Sequence, residues 1–144
     1  MIYEIQISTD KNEDLVEITH EVQKIVDESK VKNGLVHIFV PHATAGIILN
    51  ESDDPNIKTD FLNAIERVIP KRANYLHDRI DRNAAAHIRS AIVGSSITIP
   101  LNNGRLVLGT WQTIMFCEFD GPRGTRRIIV QILNSLGSGL DLRT

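Results

Sequence analysis

Three stretches of this chain gather side chains that can move protons or hold charge: PHATAG with NESDD close behind it, YLHDRIDRNAAAH, and GTWQ followed by EFDGPRGTRR. In the first, His42 directly follows the apolar run LVHIFV. Thr44, Ala45 and Gly46 beside it leave the backbone open to close approach, which suits an oxyanion or a metal ion. The plain alternative is that His42 and Thr44 satisfy turn amides. Asp54 has a ready structural duty as a helix cap, whereas Asn50, Glu51 and Asp53 have none. In the second stretch, His77 falls on a loop and His87 on a helix, so the two imidazoles can converge from independent elements. With His42 they make three neutral nitrogen donors, the set that leaves a fourth position open on zinc or a similar divalent ion. Asp78, Asp81 or Asn83 would orient the rings from behind, Asn83 sharing a helical face with His87 four residues on. For each ring a purely structural histidine is the competing reading. His20 reads as part of a solvated helix and His37 as part of a strand interior.

In the third stretch, Gln112 and Glu118 share strand parity while Trp111 falls on the opposite face. Arg123, Arg126 and Arg127 crowd one turn, and guanidinium groups so placed favour phosphate or carboxylate. A solvated run of surface charge competes with that, and Trp111 reads as a core residue ahead of a stacking platform. Other chemistry is excluded. No G-x-G-x-x-G follows a strand and no G-x-x-x-x-G-K-[ST] is present. HEVQK ends on Lys24 where a metalloprotease helix needs a second histidine, and G-x-S-x-G is missing. Cys117, within an alternating strand, reads as an inert buried thiol.

The elements that must position these residues follow from periodicity. IYEIQIS at 2–8 alternates as a strand. Asp10 and Glu13 make a capping pair, with Leu15, Ile18, Val22, Ile25 and Val26 at helical spacing up to about Lys30. LVHIFV after Gly34 is a central strand ended by Pro41, and GIILNE at 46–51 is a second. Asp54 and Pro55 open a helix that runs through Ile57, Phe61, Ile65, Val68 and Ile69 to Pro70. KRANYLHDRID reads as a loop leading to Asp81, the cap of a third helix with Ala84, His87, Ile88, Ala91 and Ile92 in register and Gly94 as its stop. SITIP, RLVLG, TWQTIMFCEF and RRIIVQIL then read as an antiparallel meander turning at Asn102-Asn103-Gly104. Strands and helices lack strict alternation, so the fold class is α+β, a single compact domain over 1–144 with a mixed or antiparallel β-sheet and three helices.

Composition bounds the partners. The chain has 144 residues, 42% apolar and 24% charged, with 16 Lys plus Arg against 18 Asp plus Glu and a formal charge of −2. That balance gives no global positive field for nucleic acid or an anionic membrane, so any anion site is local. One cysteine rules out an internal disulfide and a Cys-rich zinc site. With no apparent signal peptide or spanning segment, a cytoplasmic location is expected. Ile- and Val-rich strands without enough cover lead us to expect self-association.

PHATAGIILNE at 41–51, HDRIDRNAAAH at 77–87, LGTWQ at 108–112 and EFDGPRGTRR at 118–127 together resemble the YjbQ-like family, also called the secondary thiamine-phosphate synthase family. The resemblance spans nearly the whole chain, and it implies a compact α+β domain, a homotrimer, a cytoplasmic location and a bound metal ion. It matches His42, His77 and His87 to the family's histidines, and Glu51, Asp81, Asn83, Gln112, Glu118 and Arg123 to its other polar positions. The implied reaction joins hydroxymethylpyrimidine pyrophosphate to thiazole phosphate with release of pyrophosphate. On that reading zinc sits on His42, His77 and His87, with Mg2+ on Glu118 or Asp120 as the competing assignment. Arg123 neutralises the departing pyrophosphate, and Thr44, Asn50, Glu51, Asn83 and Gln112 line the substrate site. Two rivals use the same residues: a metal-dependent hydrolase of a small phosphorylated or lactone-like metabolite with Glu118 or Asp81 as base, and a non-catalytic trimeric module that captures an anionic metabolite.

Overall fold

The computed structural model describes residues 1–135. Its elements run β1 (Ile2–Thr9), β2 (Asp14–Glu17), α1 (Thr19–Ser29), β3 (Gly34–Phe39), β4 (Ala45–Glu51), α2 (Asn56–Val68), a single 3-10 turn (Leu76–Arg79), α3 (Ala84–Val93), β5 (Ser96–Asn102), β6 (Arg105–Leu106), β7 (Gln112–Glu118) and β8 (Arg123–Asn134). The class expected from the sequence is the one found, but the strands divide between two antiparallel sheets, β1-β8-β3-β5-β6 and β2-β7-β4.

Strand β7 explains the layering. Its side chains alternate between faces, and both faces are apolar. Ile114 and Phe116 enter a core with Ile5, Val36, Ile38, Ile128 and Val130 of the five-stranded sheet, to which α1 adds Val22 and Val26. Met115 and Cys117 enter a second cluster with Leu15, Ala86 and Phe119, packed against Phe61, Leu62 and Ile65 of α2. The three-stranded sheet is therefore the middle layer, between the larger sheet and the pair α2 and α3.

Three local expectations are corrected. The helix expected from about Asp10 begins only at Thr19. Leu15 and Val16 instead pair with Cys117 and Phe116, because the three-stranded sheet needs an edge strand and β7 offers an apolar partner. Among the described residues the expected meander is absent: β7 lies between β2 and β4, β8 lies between β1 and β3, and only β5 and β6 form a hairpin, at Asn103 and Gly104 with φ 49° and 78°. Helix α3 turns the other way from its expected stripe. Ala84, Ala85, Ala86, Arg89 and Ser90 are buried, while Ile88 and Ile92 stand outward. Small residues there let α3 approach β4 closely, and Gly46 of that strand has room for no Cβ, which would lie 2.7 Å from the Gly94 carbonyl oxygen. Arg89 on the buried face donates to the Ile69 carbonyl at 3.1 and 2.9 Å, to Glu13 at 2.8 Å and to Glu66, tying α3 to the end of α2.

The turn between β7 and β8 is shaped by a close approach. A Cβ on Gly121 would lie 2.0 Å from the Lys11 carbonyl oxygen. The Gly121 amide donates to the Asn12 carbonyl at 2.9 Å and its own carbonyl accepts from Asn12 Nδ2 at 3.0 Å. This clamp sets Asp120 and Arg123 against the start of α3.

Candidate functional site

Asp120 is the hub of a polar chain leading to an imidazole. Its Oδ2 accepts from Arg123 Nη2 at 2.8 Å and from Asn83 Nδ2 at 3.0 Å. The carboxylate can only accept, so the amide nitrogen of Asn83 must face it and the amide oxygen must face away. That oxygen lies 3.0 Å from His77 Nε2. His77 therefore donates through Nε2, and Nδ1 is left to exchange a proton with a ligand. His87 from α3 meets His77 edge to face, ring centroids 4.8 Å apart at 83°. Asp78 Oδ1 accepts from the Ala84 amide at 3.0 Å, which fastens the His77 turn to the first residue of α3. Asp81, expected as that cap and as a candidate base, is exposed and joins no hydrogen bond among the described residues.

Glu118 is not available as the expected base or Mg2+ ligand. It is fully buried between the sheets, and its oxygens accept from Thr9 Oγ1 at 2.6 Å, from Arg126 Nε at 3.0 Å and Nη2, and from the Asp120 amide at 3.1 Å. Burial by itself raises a carboxyl's affinity for protons; here the bonds from Arg126, Thr9 and Asp120 prevail and hold Glu118 below the ordinary carboxylate range. Thr44 is likewise enclosed, its Oγ1 accepting from Arg126 Nη2 at 3.0 Å, so it does not face a ligand. The pair braces the site from beneath: the carboxylate that holds Arg126 also holds the amide of Asp120.

His42 stands apart from the histidine pair in its bonding. Its Nε2 accepts from the Arg127 amide at 2.8 Å. Partial burial and the nearby Arg126 charge keep it below the ordinary histidine range, hence neutral. It shares with His87, Ala43, Ser90, Ala91, Gly94 and Ser95 a concavity of about 330 Å³. For zinc the expected trio does not fit as arranged: no group of three or more His, Cys, Asp or Glu placed to hold a metal occurs among the described residues.

The remaining expected residues lie elsewhere. Glu51 pairs with Gln112 at one end of the β4–β7 ladder while Ala45 pairs with Glu118 at the other, roughly 20 Å away at about 3.3 Å per residue. There Asn50 Oδ1 accepts from the Glu51 amide at 2.7 Å, Glu51 Oε2 from the Asp54 amide at 3.2 Å and Gln112 Oε1 from the Gly109 amide at 2.7 Å. Asp54 Oδ1 accepts from the Asn56 amide at 2.9 Å, as a cap of α2 should. Trp111, read as core, is 59% exposed. Cys117 is a buried thiol pushed up to about 12 by burial, which leaves it inert as read.

Arg126 and Thr9 were not identified as structural partners of Glu118. The signal was present: Arg126 shares parity with Ile128, Val130 and Ile132, the inward residues of β8, and Glu118 with Ile114 and Phe116.

The fold has close counterparts. The family model for UPF0047 proteins of the YjbQ-like type matches residues 3–135. The chain belongs to the YjbQ-like UPF0047 family. Among curated members, a UPF0047 protein of Methanocaldococcus jannaschii is 47% identical over 92% of this chain and 94% of its own length. YugU of Bacillus subtilis is 42% identical over 92% and 99%. Among solved structures of the family, a YbjQ-like protein of unknown function from Sulfolobus solfataricus superposes with a TM-score of 0.91 at 39% identity, covering 94% of this chain and 97% of that one. A YjbQ/UPF0047 protein from Clostridium acetobutylicum gives 0.87 at 44%, covering 91% and 99%. No helix among the described residues is long and apolar enough to cross a membrane.

Proposed function

We propose that this UPF0047 protein is an enzyme acting on a small phosphorylated metabolite, with His77 as its proton-transferring group. The observation that carries the reading is the chain Arg123–Asp120–Asn83–His77, which fixes which nitrogen of His77 holds its proton and leaves Nδ1 with no hydrogen-bond partner among the described residues. Purely structural histidines need no such orientation, whereas an acid or base does. His87 packs edge to face with His77, and Arg123 supplies positive charge on the same exposed side.

The reaction we assign is the transfer that the family resemblance implies. The bond from the pyrimidine methylene to pyrophosphate oxygen breaks, pyrophosphate leaves with the electron pair, and the thiazole nitrogen forms the new C–N bond. Arg123 offsets the departing charge, and His77, having taken a second proton from solvent at Nδ1 while Nε2 still donates to Asn83, passes it to the leaving oxygen and returns to the neutral ring. No step is routed through a metal, because the imidazoles do not present a donor set for one. The assembly we propose is a homotrimer, supported by the outer face of the five-stranded sheet, where Leu35, Phe39 and Leu133 are 43%, 40% and 53% exposed. Sedimentation should give three times the chain mass.

The assay supplies both precursors and follows thiamine phosphate. His77→Ala, and Asp120→Asn, which lets the Asn83 amide reverse and His77 change tautomer, should each lower turnover roughly 10²-fold or more. Equal rates in the unsubstituted protein and in His77→Ala would refute the reading. Phosphate release without coupling would instead indicate hydrolysis.

A further inference from the structure

The segment 71–81, a polar loop by its sequence, carries His77 and the Asp78 that fastens its turn to α3, and its other side chains have no part in the hydrogen-bonded chain that orients the ring. In the structure it surrounds a second concavity, about 420 Å³, lined by Arg72, Asn74, Tyr75, Leu76, Asp78, Arg79 and Arg82. Three guanidinium groups face one carboxylate there, and the carboxylate is already committed. Asp78 Oδ1 caps α3 and Oδ2 lies 3.6 Å from Arg72 Nη1. Arg72 is committed too, since its Nη1 donates to the Arg82 carbonyl at 2.6 Å. Arg79 and Arg82 form no ion pair among the described residues. They are left with their full set of donors in a local excess of positive charge on a chain whose net charge is negative.

The backbone holds them there at a cost. Asn74 and Arg82 both adopt left-handed conformations, φ 57° and 58°. Asparagine does so readily; arginine does not, and such a residue persists only where its surroundings fix it. Here the Arg72 bond to its carbonyl supplies that fixing, and the Tyr75 hydroxyl, donating to the Pro70 carbonyl at 2.7 Å, closes the loop on the other side. Arg82 also lines the narrow cleft that contains Asn83 and Asp120, so the cavity borders the chain that orients His77.

We propose that this cavity is an anion subsite, in which Arg79 and Arg82 grip a phosphate or diphosphate group of a small metabolite while Arg72 braces the loop. Forked guanidinium donors match tetrahedral phosphate oxygens, and the volume admits a diphosphate with part of its organic group. The inference rests on the proposed function in that it gives the substrate a second anionic anchor, separate from Arg123.

Isothermal titration of inorganic pyrophosphate into the purified full chain, at low and high salt, tests it. The double variant Arg79→Ala with Arg82→Asn keeps a residue that tolerates the left-handed backbone, and its thermal midpoint should match the unsubstituted protein. It should bind pyrophosphate at least tenfold more weakly than the unsubstituted chain, whose own binding should weaken with salt. Absence of binding by the unsubstituted protein, or equal binding by the double variant, overturns the inference. A loss that follows Arg123→Ala alone also overturns it, and leaves the role of His77 untouched. Conversely, if the double variant loses pyrophosphate while His77→Ala retains full coupling activity, the subsite stands and the proposed reaction fails.

Discussion

A buried carboxylate with all its oxygens engaged behaves as a structural ion, and Glu118 is one. Glu118→Gln removes the negative charge and leaves the Arg126 guanidinium buried without compensation, a loss that typically costs about 3–5 kcal/mol. Urea unfolding should show the drop with little change in slope, since the surface exposed on unfolding is the same. His42 gives a pH dependence of definite sign. Its proton affinity is lower in the fold than the ordinary value of 6.5, so the unfolded chain binds more protons between the two values. Stability contributed by neutral His42 is complete above the ordinary histidine range, falls as the pH drops through that window, and levels off below the folded value. Urea midpoints from pH 7 to pH 5 should decline less steeply in His42→Gln than in the unsubstituted protein. At this scale the sequence showed which residues were polar where apolar ones would suffice, and Asn83, Arg123, His77 and His87 do meet. Parity with Ile114 and Phe116 pointed Glu118 inward, but Asp120 two residues on has the same parity, and the sequence did not show that β7 ends between them and leaves Asp120 at the surface.

Elements were legible where their periodicity matched their burial. The strands at Gly34–Phe39 and Ala45–Glu51 and the helix before Pro70 stand where the pattern put them. The reading failed where apolar residues serve two spacings at once. Leu15 and Ile18 fit a helical stripe, yet Leu15 is in a strand and Ile18 precedes a helix, each buried against β7 or its neighbours. On α3 the apolar stripe was visible and the packing face was not, because the buried side is made of alanines and Arg89 and carries less hydrophobic signal than Ile88 and Ile92 outside it. The turn after β7 offers a test of element-level fit. Gly121→Ala places a methyl group against the Lys11 carbonyl, and overpacking of this kind costs about 1–3 kcal/mol. The expected result is a lower thermal midpoint together with weaker pyrophosphate coupling, since the same turn carries Asp120 and Arg123. An unchanged midpoint would mean that the Lys11 segment yields freely.

For the molecule as a whole, two sheets and a helical layer were beyond what the pattern of elements could specify. Register along one chain does not say which sheet a strand joins, and β7 with β8 reads equally well as a hairpin or as neighbours in different sheets. The structure resolves that by sending β7 to the middle layer. Every residue from Thr113 to Glu118 is buried, so β7 has apolar neighbours above and below and a strand on each side. Its amides can meet solvent deuterium only when both cores come apart together. The slowest-exchanging protons should therefore cluster at Ile114–Cys117, with an opening free energy equal to that of global unfolding, while those of the 3-10 turn exchange through small local openings. The part of the molecule assigned to bind and react would then be free to fluctuate without loosening the layer that supports it.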